Sequence, residues 1–196
     1  MNGGISSLTS NELRTFTIIV FCYHTLCRFS CVKVIKLSDL KFENDYFDIN
    51  VVRSKTDQSG HGQNVLLPKL EGDCDPHLLM CLYLNSVHFN GEENYLFPPL
   101  KWDKLSKKWV NVNSKMLSYS AAYSSFKKFL IKFGLNHRRF ALHSPRIGGT
   151  TNMFQNKVPK RIIDRVGRWK SSKSKYIYGR DKKMYLVNKL RKQPLI

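Results

Sequence analysis

The chain has 196 residues, the length of one domain, and 42% of them are hydrophobic, which is enough for a buried core. Its 33 lysines and arginines outnumber its 14 acidic residues, and the excess lies in one half: residues 1–100 hold 8 basic and 11 acidic side chains, whereas residues 101–196 hold 25 and 3. A surface whose only role is solubility usually mixes positive and negative charges, which the second half does not. Its positive charge favours a polyanionic partner, and a nucleic acid is favoured over an anionic membrane.

The first predicted elements are two helices. Thr9 and Glu12 have the spacing of a capping box, in which a threonine side chain and a glutamate three residues later satisfy each other's backbone amides. We therefore expect a helix over about 10–26, with Arg28 just after its end. A second, short helix is expected over about 30–37.

A strand pattern follows these helices. Apolar side chains alternate with mostly polar ones over 47–52, which is typical of a strand with one buried face. Together with extended segments near 40–44 and 63–67, this strand predicts a small three-stranded antiparallel sheet. Lys55 is expected on the turn between the last two strands, in a segment rich in Ser, Asp and Gly.

The remainder is predicted to be helical, so the expected fold class is α+β, mostly helical with one small sheet. Helices are expected over about 74–86, 114–133, 145–156 and 158–167. A looser stretch is expected over 91–108. In the helix that begins near 145, Ser144 is expected to be the N-cap and Pro145 the first residue, since that position needs no amide. Arg146 then lies in the first turn, where its guanidinium and the free backbone amides can face one phosphate.

The cysteines and the apolar run near the N-terminus exclude other classes. Five cysteines, an odd number without C-x-x-C spacing, indicate neither a zinc site nor a disulfide framework. The apolar run over 15–27 is too short to span a bilayer and follows no basic segment, so neither a membrane span nor a signal peptide is expected. We expect an intracellular protein, in the nucleus of a eukaryotic host and otherwise in the cytoplasm or nucleoid.

The most informative motif lies near the C-terminus. Residues 143–151 read HSPRIGGTT, residues 167–169 read GRW, and Tyr178 follows nine residues after the tryptophan. The H-x-x-R spacing carries little information alone, but the ordered string resembles the C-terminal motif block of the tyrosine recombinases, the phage-integrase superfamily. Its residue pattern is most similar to that of eukaryotic Crypton and DIRS-type mobile elements.

Two upstream segments extend this resemblance. Residues 25–40 resemble the first arginine box of the family, and residues 51–60 are similar to the strand and turn that carry its catalytic lysine. The resemblance therefore covers about residues 9–181. The sequence departs from the common family pattern at three positions, none of which is a catalytic group: Cys27, Cys31 and Pro145.

The resemblance implies the DNA breaking-rejoining enzyme fold and a transesterification that needs no metal and no cofactor. In this reaction a tyrosine oxygen displaces a 5′-hydroxyl and becomes linked to the 3′-phosphate. The implied catalytic residues are Arg28, Lys55, His143, Arg146, Trp169 and Tyr178. The arginines would bind the phosphate through planar guanidinium groups, and the lysine would protonate the leaving oxygen. The histidine would take the tyrosine proton or bond to the phosphate, and the indole N–H would donate to a phosphate oxygen.

These side chains are expected to converge on one basic concavity. Tyr178 is favoured over Tyr176 as the nucleophile, because its spacing from Trp169 matches the family. On an unbroken helix nine residues would place the two side chains on opposite faces, so a break is expected at the serines between them.

The resemblance also implies partners and a domain organisation. The partners are double-stranded DNA and further copies of the chain, assembled as a tetramer on DNA. Residues 1–196 are expected to form the catalytic domain without the core-binding domain that usually precedes it, and 182–196 a short basic tail. Two other functions stay open: a domesticated or degenerate DNA-binding protein without catalysis, and DNA relaxation like that of type IB topoisomerases.

Overall fold

The computed structural model describes residues 5–51, 63–72, 74–89, 91, 93–112 and 115–169. The helices in this part are α1 (Ser10–Thr25), α2 (Phe29–Val32), α3 (Pro76–Ser86), α4 (Tyr119–Lys132), α5 (Ser144–Gln155) and α6 (Lys160–Gly167). The strands are β1 (Leu40–Phe42), β2 (Tyr46–Val51), β3 (Gln63–Pro68), β4 (Leu100–Asp103) and β5 (Lys108–Asn111). Short 3-10 turns occur at Ile5–Ser7, Leu37–Asp39 and His137–Arg139. The α+β, mostly helical fold class is confirmed.

Helix α1 forms the centre of the fold, because it packs against α3, α4 and α5. Its predicted capping box is confirmed: the Thr9 side chain accepts a hydrogen bond from the amide of Glu12 at 3.3 Å, and the Glu12 carboxylate accepts one from the amide of Thr9 at 2.9 Å. The helix stops at Leu26, whose φ of 52° is left-handed. This turn directs the chain into Arg28, which is the N-cap of α2.

The predicted three-stranded antiparallel sheet is also confirmed, with the order β1-β2-β3. The register places Ile49 opposite Leu40 on one side and opposite Val65 on the other. The alternating apolar side chains of β2 are buried, as the period of two requires for a sheet with one face on the core. The turn expected to carry Lys55 falls in 52–62, outside the described residues.

A hairpin occupies part of the stretch that was expected to be loose, so the prediction of helices alone after the first sheet was wrong. Strands β4 and β5 pair antiparallel, and Trp102 lies opposite Trp109 with ring centroids 5.7 Å apart, edge to face. Asp103 stabilises the turn because its carboxylate accepts a hydrogen bond from the amide of Ser106 at 3.1 Å. Such cross-strand aromatic pairs stabilise a two-stranded hairpin, and a bridge between His88 and Val110 adds one further contact.

Two helices are shorter than expected. Helix α2 ends at Val32 instead of continuing to 37. The following residues pair with another segment: the carbonyl oxygen of Ile35 accepts a hydrogen bond from the amide of Leu96 at 2.7 Å, and Lys36 forms an antiparallel bridge with Tyr95. Helix α4 begins at 119 rather than near 114, where the side chain of Ser118 caps its first turn. In the part of the chain that the structure describes, no helix combines the length and the apolar character needed to cross a bilayer.

Candidate active site

The N-terminus of α5 differs in one detail from the sequence prediction. His143, not Ser144, is the N-cap, and Ser144 is the first helical residue. The reason is that the Ser144 hydroxyl accepts a hydrogen bond from the amide of Ala141 at 2.9 Å, a group that precedes the helix. Arg146 still lies in the first turn, as predicted.

The Arg146 side chain joins three segments of the chain. It is only 2% exposed, and its two terminal nitrogens donate to the carbonyl oxygens of Leu26 and, at 3.1 Å, of Gly167. Its Cζ lies 4.9 Å from the centroid of the Trp169 ring, a cation–π contact. Because a buried guanidinium is stable only when its N–H groups have partners, these contacts fix its position. The Arg146 guanidinium was expected to face a phosphate, whereas in the structure it binds protein carbonyls.

Two glycines of the 143–151 motif allow α5 to approach α1. A Cβ at Gly149 would lie 2.0 Å from the carbonyl oxygen of Tyr23 and 2.9 Å from Cδ2 of Leu26, whereas a Cβ at Gly148 would lie 3.4 Å from the Tyr23 ring. The helices are thus in backbone contact at Gly149. This close approach places Arg146, one turn earlier on α5, against the end of α1.

A third glycine makes room for Trp169. A Cβ at Gly167 would lie 2.2 Å from the Trp169 ring. Helix α6 ends there, because Arg168 adopts a left-handed φ of 54° and the amide of Trp169 donates back to the carbonyl oxygen of Asp164 at 3.2 Å. The GRW sequence therefore ends a helix and folds the indole ring back over the residue two positions before it, onto the guanidinium of Arg146.

His143 lies in the electrostatic field of two arginines. It is partly buried; burial lowers the pKa of His143, and the charges of Arg146 and Arg28 lower it further. The neutral imidazole is therefore favoured near neutral pH, and a neutral imidazole can accept a proton. Arg28 lies at the start of α2, after the left-handed turn that ends α1, and is near enough for its charge to act on His143.

One contact was not anticipated from the sequence. The terminal nitrogen Nη2 of Arg168 donates to Sγ of Cys27 at 3.0 Å. Burial raises the pKa of Cys27, and the neighbouring Arg168 acts in the opposite direction. The contact ties the GRW segment to the residue immediately before Arg28. The signal was present in the sequence as an unusual cysteine next to the first arginine, but nothing in the sequence identified its partner.

The structure thus brings four of the six expected site residues into one region: Arg28, His143, Arg146 and Trp169. Lys55 and Tyr178, with the alternative Tyr176, lie in the segments 52–62 and 170–196, outside the described residues. Their convergence on this region stays a prediction.

Comparison with known proteins gives a family and a fold. A family model described as the phage integrase family matches residues 4–184. No curated protein sequence matches the chain. Solved structures with a similar fold include the XerH site-specific recombinase bound to a palindromic difH substrate, in a post-cleavage complex. Its TM-score is 0.66 and its identity is 15%, covering 92% of this chain and 45% of that chain.

Two further structures share the fold. The XerA recombinase has a TM-score of 0.66 and 17% identity, covering 94% of this chain and 58% of that chain. A lambda integrase(75–356) dimer bound to a COC′ core site has a TM-score of 0.54 and 16% identity, covering 96% of this chain and 62% of that chain. The chain therefore spans about half the length of these recombinases. The comparisons do not test the closer similarity to Crypton and DIRS-type elements.

Proposed function

This chain belongs to the phage integrase family, and we propose that it cleaves and rejoins double-stranded DNA, as a site-specific recombinase or integrase, through a covalent tyrosine–phosphate intermediate. The observation that carries the proposal is the convergence of the sequence motifs: the charges of Arg28 and Arg146 both act on His143, and the ring of the GRW tryptophan packs on the Arg146 guanidinium. Three motifs that are distant in sequence meet there, and their residue types are those that a phosphoryl transfer without a metal needs.

The proposed reaction is one displacement in each direction. The phenol oxygen of Tyr178 attacks the phosphorus, the bond from phosphorus to the 5′-oxygen breaks, and the protein becomes linked to the 3′-phosphate. Neutral His143 accepts the phenol proton, and Lys55 gives a proton to the departing 5′-oxygen. Attack by a 5′-hydroxyl, with the proton movements reversed, rejoins the strand and restores the tyrosine.

The arginines stabilise the charge that develops on the phosphate oxygens. Arg28 and Arg146 carry permanent positive charge, and a preorganised donor at such a site contributes about 10²–10³ in rate. Contacts with Leu26, Gly167 and Trp169 hold the Arg146 guanidinium in this region. Engagement of a phosphate by this side chain requires a change in its carbonyl contacts, which DNA binding would supply.

Duplex DNA and further copies of the chain are the proposed partners. The net charge of +22 on residues 101–196, from 25 basic and 3 acidic side chains, supports the DNA partner. Structures with the same fold support it further, since XerH is bound to difH substrate and a lambda integrase dimer to a core site. We propose assembly as a tetramer on two duplexes.

A suicide-substrate assay tests the proposal. A duplex with a nick near the cleavage point loses the short 5′-hydroxyl fragment after attack, so the covalent adduct accumulates and is seen on a denaturing gel. The assay is run with the chain alone and with a fused core-binding domain, because the related recombinases are about twice as long. An adduct supports the proposal.

Absence of an adduct in both forms, with DNA binding retained, would instead establish the second candidate function, a DNA-binding protein without catalysis. The 2% exposure of Arg146 is the observation that favours this candidate, because a guanidinium bound to carbonyls does not meet a phosphate. Relaxation of supercoiled DNA without strand exchange would favour a topoisomerase activity.

A further inference from the structure

The hairpin β4–β5 is anchored at its base and through His88, which bridges to Val110 and whose amide donates to the carbonyl oxygen of Trp109 at 3.4 Å. The side chain of Asn111 is buried and donates to Oδ1 of Asn94 at 2.7 Å, and the amide of Val112 donates to the carbonyl oxygen of Pro99 at 2.9 Å. The end of the hairpin, from Asp103 to Lys108, extends beyond these contacts.

The outer part of the hairpin exposes apolar side chains. Trp102 is 50% exposed although its ring packs against Trp109, and Leu105, in the turn, is 96% exposed. The tryptophan pair by itself is explained by hairpin stability. The leucine at the tip is almost fully exposed, so it adds little to that stability and is available to a partner.

The same hairpin is strongly basic. Residues 100–111 contain one acidic residue, Asp103, and four lysines, for a net charge of +3. The four lysines are exposed, and among the described residues none of them forms an ion pair: Lys101, Lys104, Lys107 and Lys108.

The one carboxylate of the hairpin is committed to the turn. Asp103 accepts hydrogen bonds from the amides of Leu105 at 3.4 Å and Ser106 at 3.1 Å, and hydrogen bonds from Ser106 lower the pKa of Asp103. The acid therefore shapes the turn that presents the lysines, and the presented surface is cationic with an apolar tip.

We infer that the hairpin β4–β5 is a DNA-contacting arm, which binds the phosphates of the duplex flanking the cleavage point and places Leu105 and Trp102 against a groove. This inference rests on the proposed function for the identity of the partner. Cationic side chains around a small apolar tip match a duplex, whose phosphate rows border grooves with apolar sugar and base edges.

A pair of matched variants tests the arm in the full chain. Lys101→Gln with Lys104→Gln removes two charges from the hairpin. Lys41→Gln with Lys69→Gln removes two exposed charges at the end of the sheet where Tyr46 pairs with Pro68, the end opposite the 52–62 segment. Affinity for a fluorescein-labelled duplex longer than one helical turn is measured by anisotropy over a series of salt concentrations.

The hairpin variant is expected to bind more weakly and to make the dependence of log K on log salt shallower by about 1.8, since each phosphate contact contributes about 0.9. The sheet variant should keep the wild-type slope. Leu105→Ser should weaken binding by about threefold to tenfold with an unchanged unfolding midpoint, because this side chain is almost fully exposed. Equal slopes for the two lysine variants would overturn the inference, as would loss of self-association in sedimentation without any loss of DNA affinity, which would assign the arm to a second copy.

The inference and the proposed function fail separately. A covalent adduct together with equal slopes would sustain the proposed function and reject the arm. A slope change confined to the hairpin variant, without an adduct on any substrate, would sustain the arm as a DNA contact and reject catalysis.

Discussion

Replacing Gly149 by alanine should separate the two helices that build the site. The added Cβ would lie 2.0 Å from the carbonyl oxygen of Tyr23, whereas a carbon–oxygen contact needs about 3.3 Å. Backbone cannot rotate away as a side chain can, so α1 and α5 must move apart by roughly 1 Å. Overpacking costs about 1–3 kcal/mol. Weakening of the Arg146–Leu26 hydrogen bond as the helices separate costs about 1–2 kcal/mol more, and the higher helix propensity of alanine returns about 1 kcal/mol.

The expected net loss is therefore about 1–4 kcal/mol in the free energy of unfolding, measured by urea denaturation. Gly148→Ala is the matched control on the same helix, because its Cβ would meet the Tyr23 ring at an ordinary 3.4 Å. That variant should be unchanged or more stable by up to about 1 kcal/mol. If the two alanine variants unfold at the same urea concentration, the backbone contact at Gly149 is not present in solution.

Three further expectations concern the arginines and the histidine. Arg146→Ala should slow adduct formation by about 10²–10³-fold. It should also lower the free energy of unfolding by about 2–5 kcal/mol, because two buried carbonyls lose their donor. An unchanged urea midpoint would contradict the burial of Arg146. The pKa of His143 is lowered in the folded state, so the unfolded state binds more protons below about pH 6.5 and the histidine destabilises the fold as pH falls. The stability of the wild type relative to His143→Gln should therefore decrease on acidification, and a difference independent of pH would be inconsistent with this burial. A double-mutant cycle of Arg168→Met and Cys27→Ala should give a coupling energy of about 0.5–2 kcal/mol in urea unfolding, whereas additive effects would mean that the contact is absent.

Local rules were sufficient for the elements whose signals are local. The capping box of Thr9 and Glu12 and the period of two over 47–52 each depend on neighbours within a few residues, and both were predicted from the sequence alone. The hairpin β4–β5 was missed because its lysines and the preceding prolines obscure the alternation. The available signal was a pair of tryptophans, Trp102 and Trp109, on either side of a polar segment that begins with Asp103.

The site could be predicted only in part, for a related reason. The motif string identified which residues matter, since residue types in a fixed order are visible in a sequence. It did not show that Arg146 would be buried against the carbonyls of Leu26 and Gly167, because those partners are 120 and 21 residues away. Glycines were visible in the motif, but the backbone and the ring that occupy their missing side-chain space depend on tertiary packing.

The central claim is that this chain forms a covalent intermediate through Tyr178, and two tyrosine variants test it most directly. On a nicked duplex, with a core-binding domain supplied, Tyr178→Phe should abolish the covalent protein–DNA adduct while DNA affinity stays nearly unchanged, because only one hydroxyl is removed. Tyr176→Phe should form the adduct as the wild type does, since only one of the two phenols can be held in line with the phosphate. Persistence of the adduct in Tyr178→Phe, or its loss in Tyr176→Phe alone, would contradict the assignment of the nucleophile.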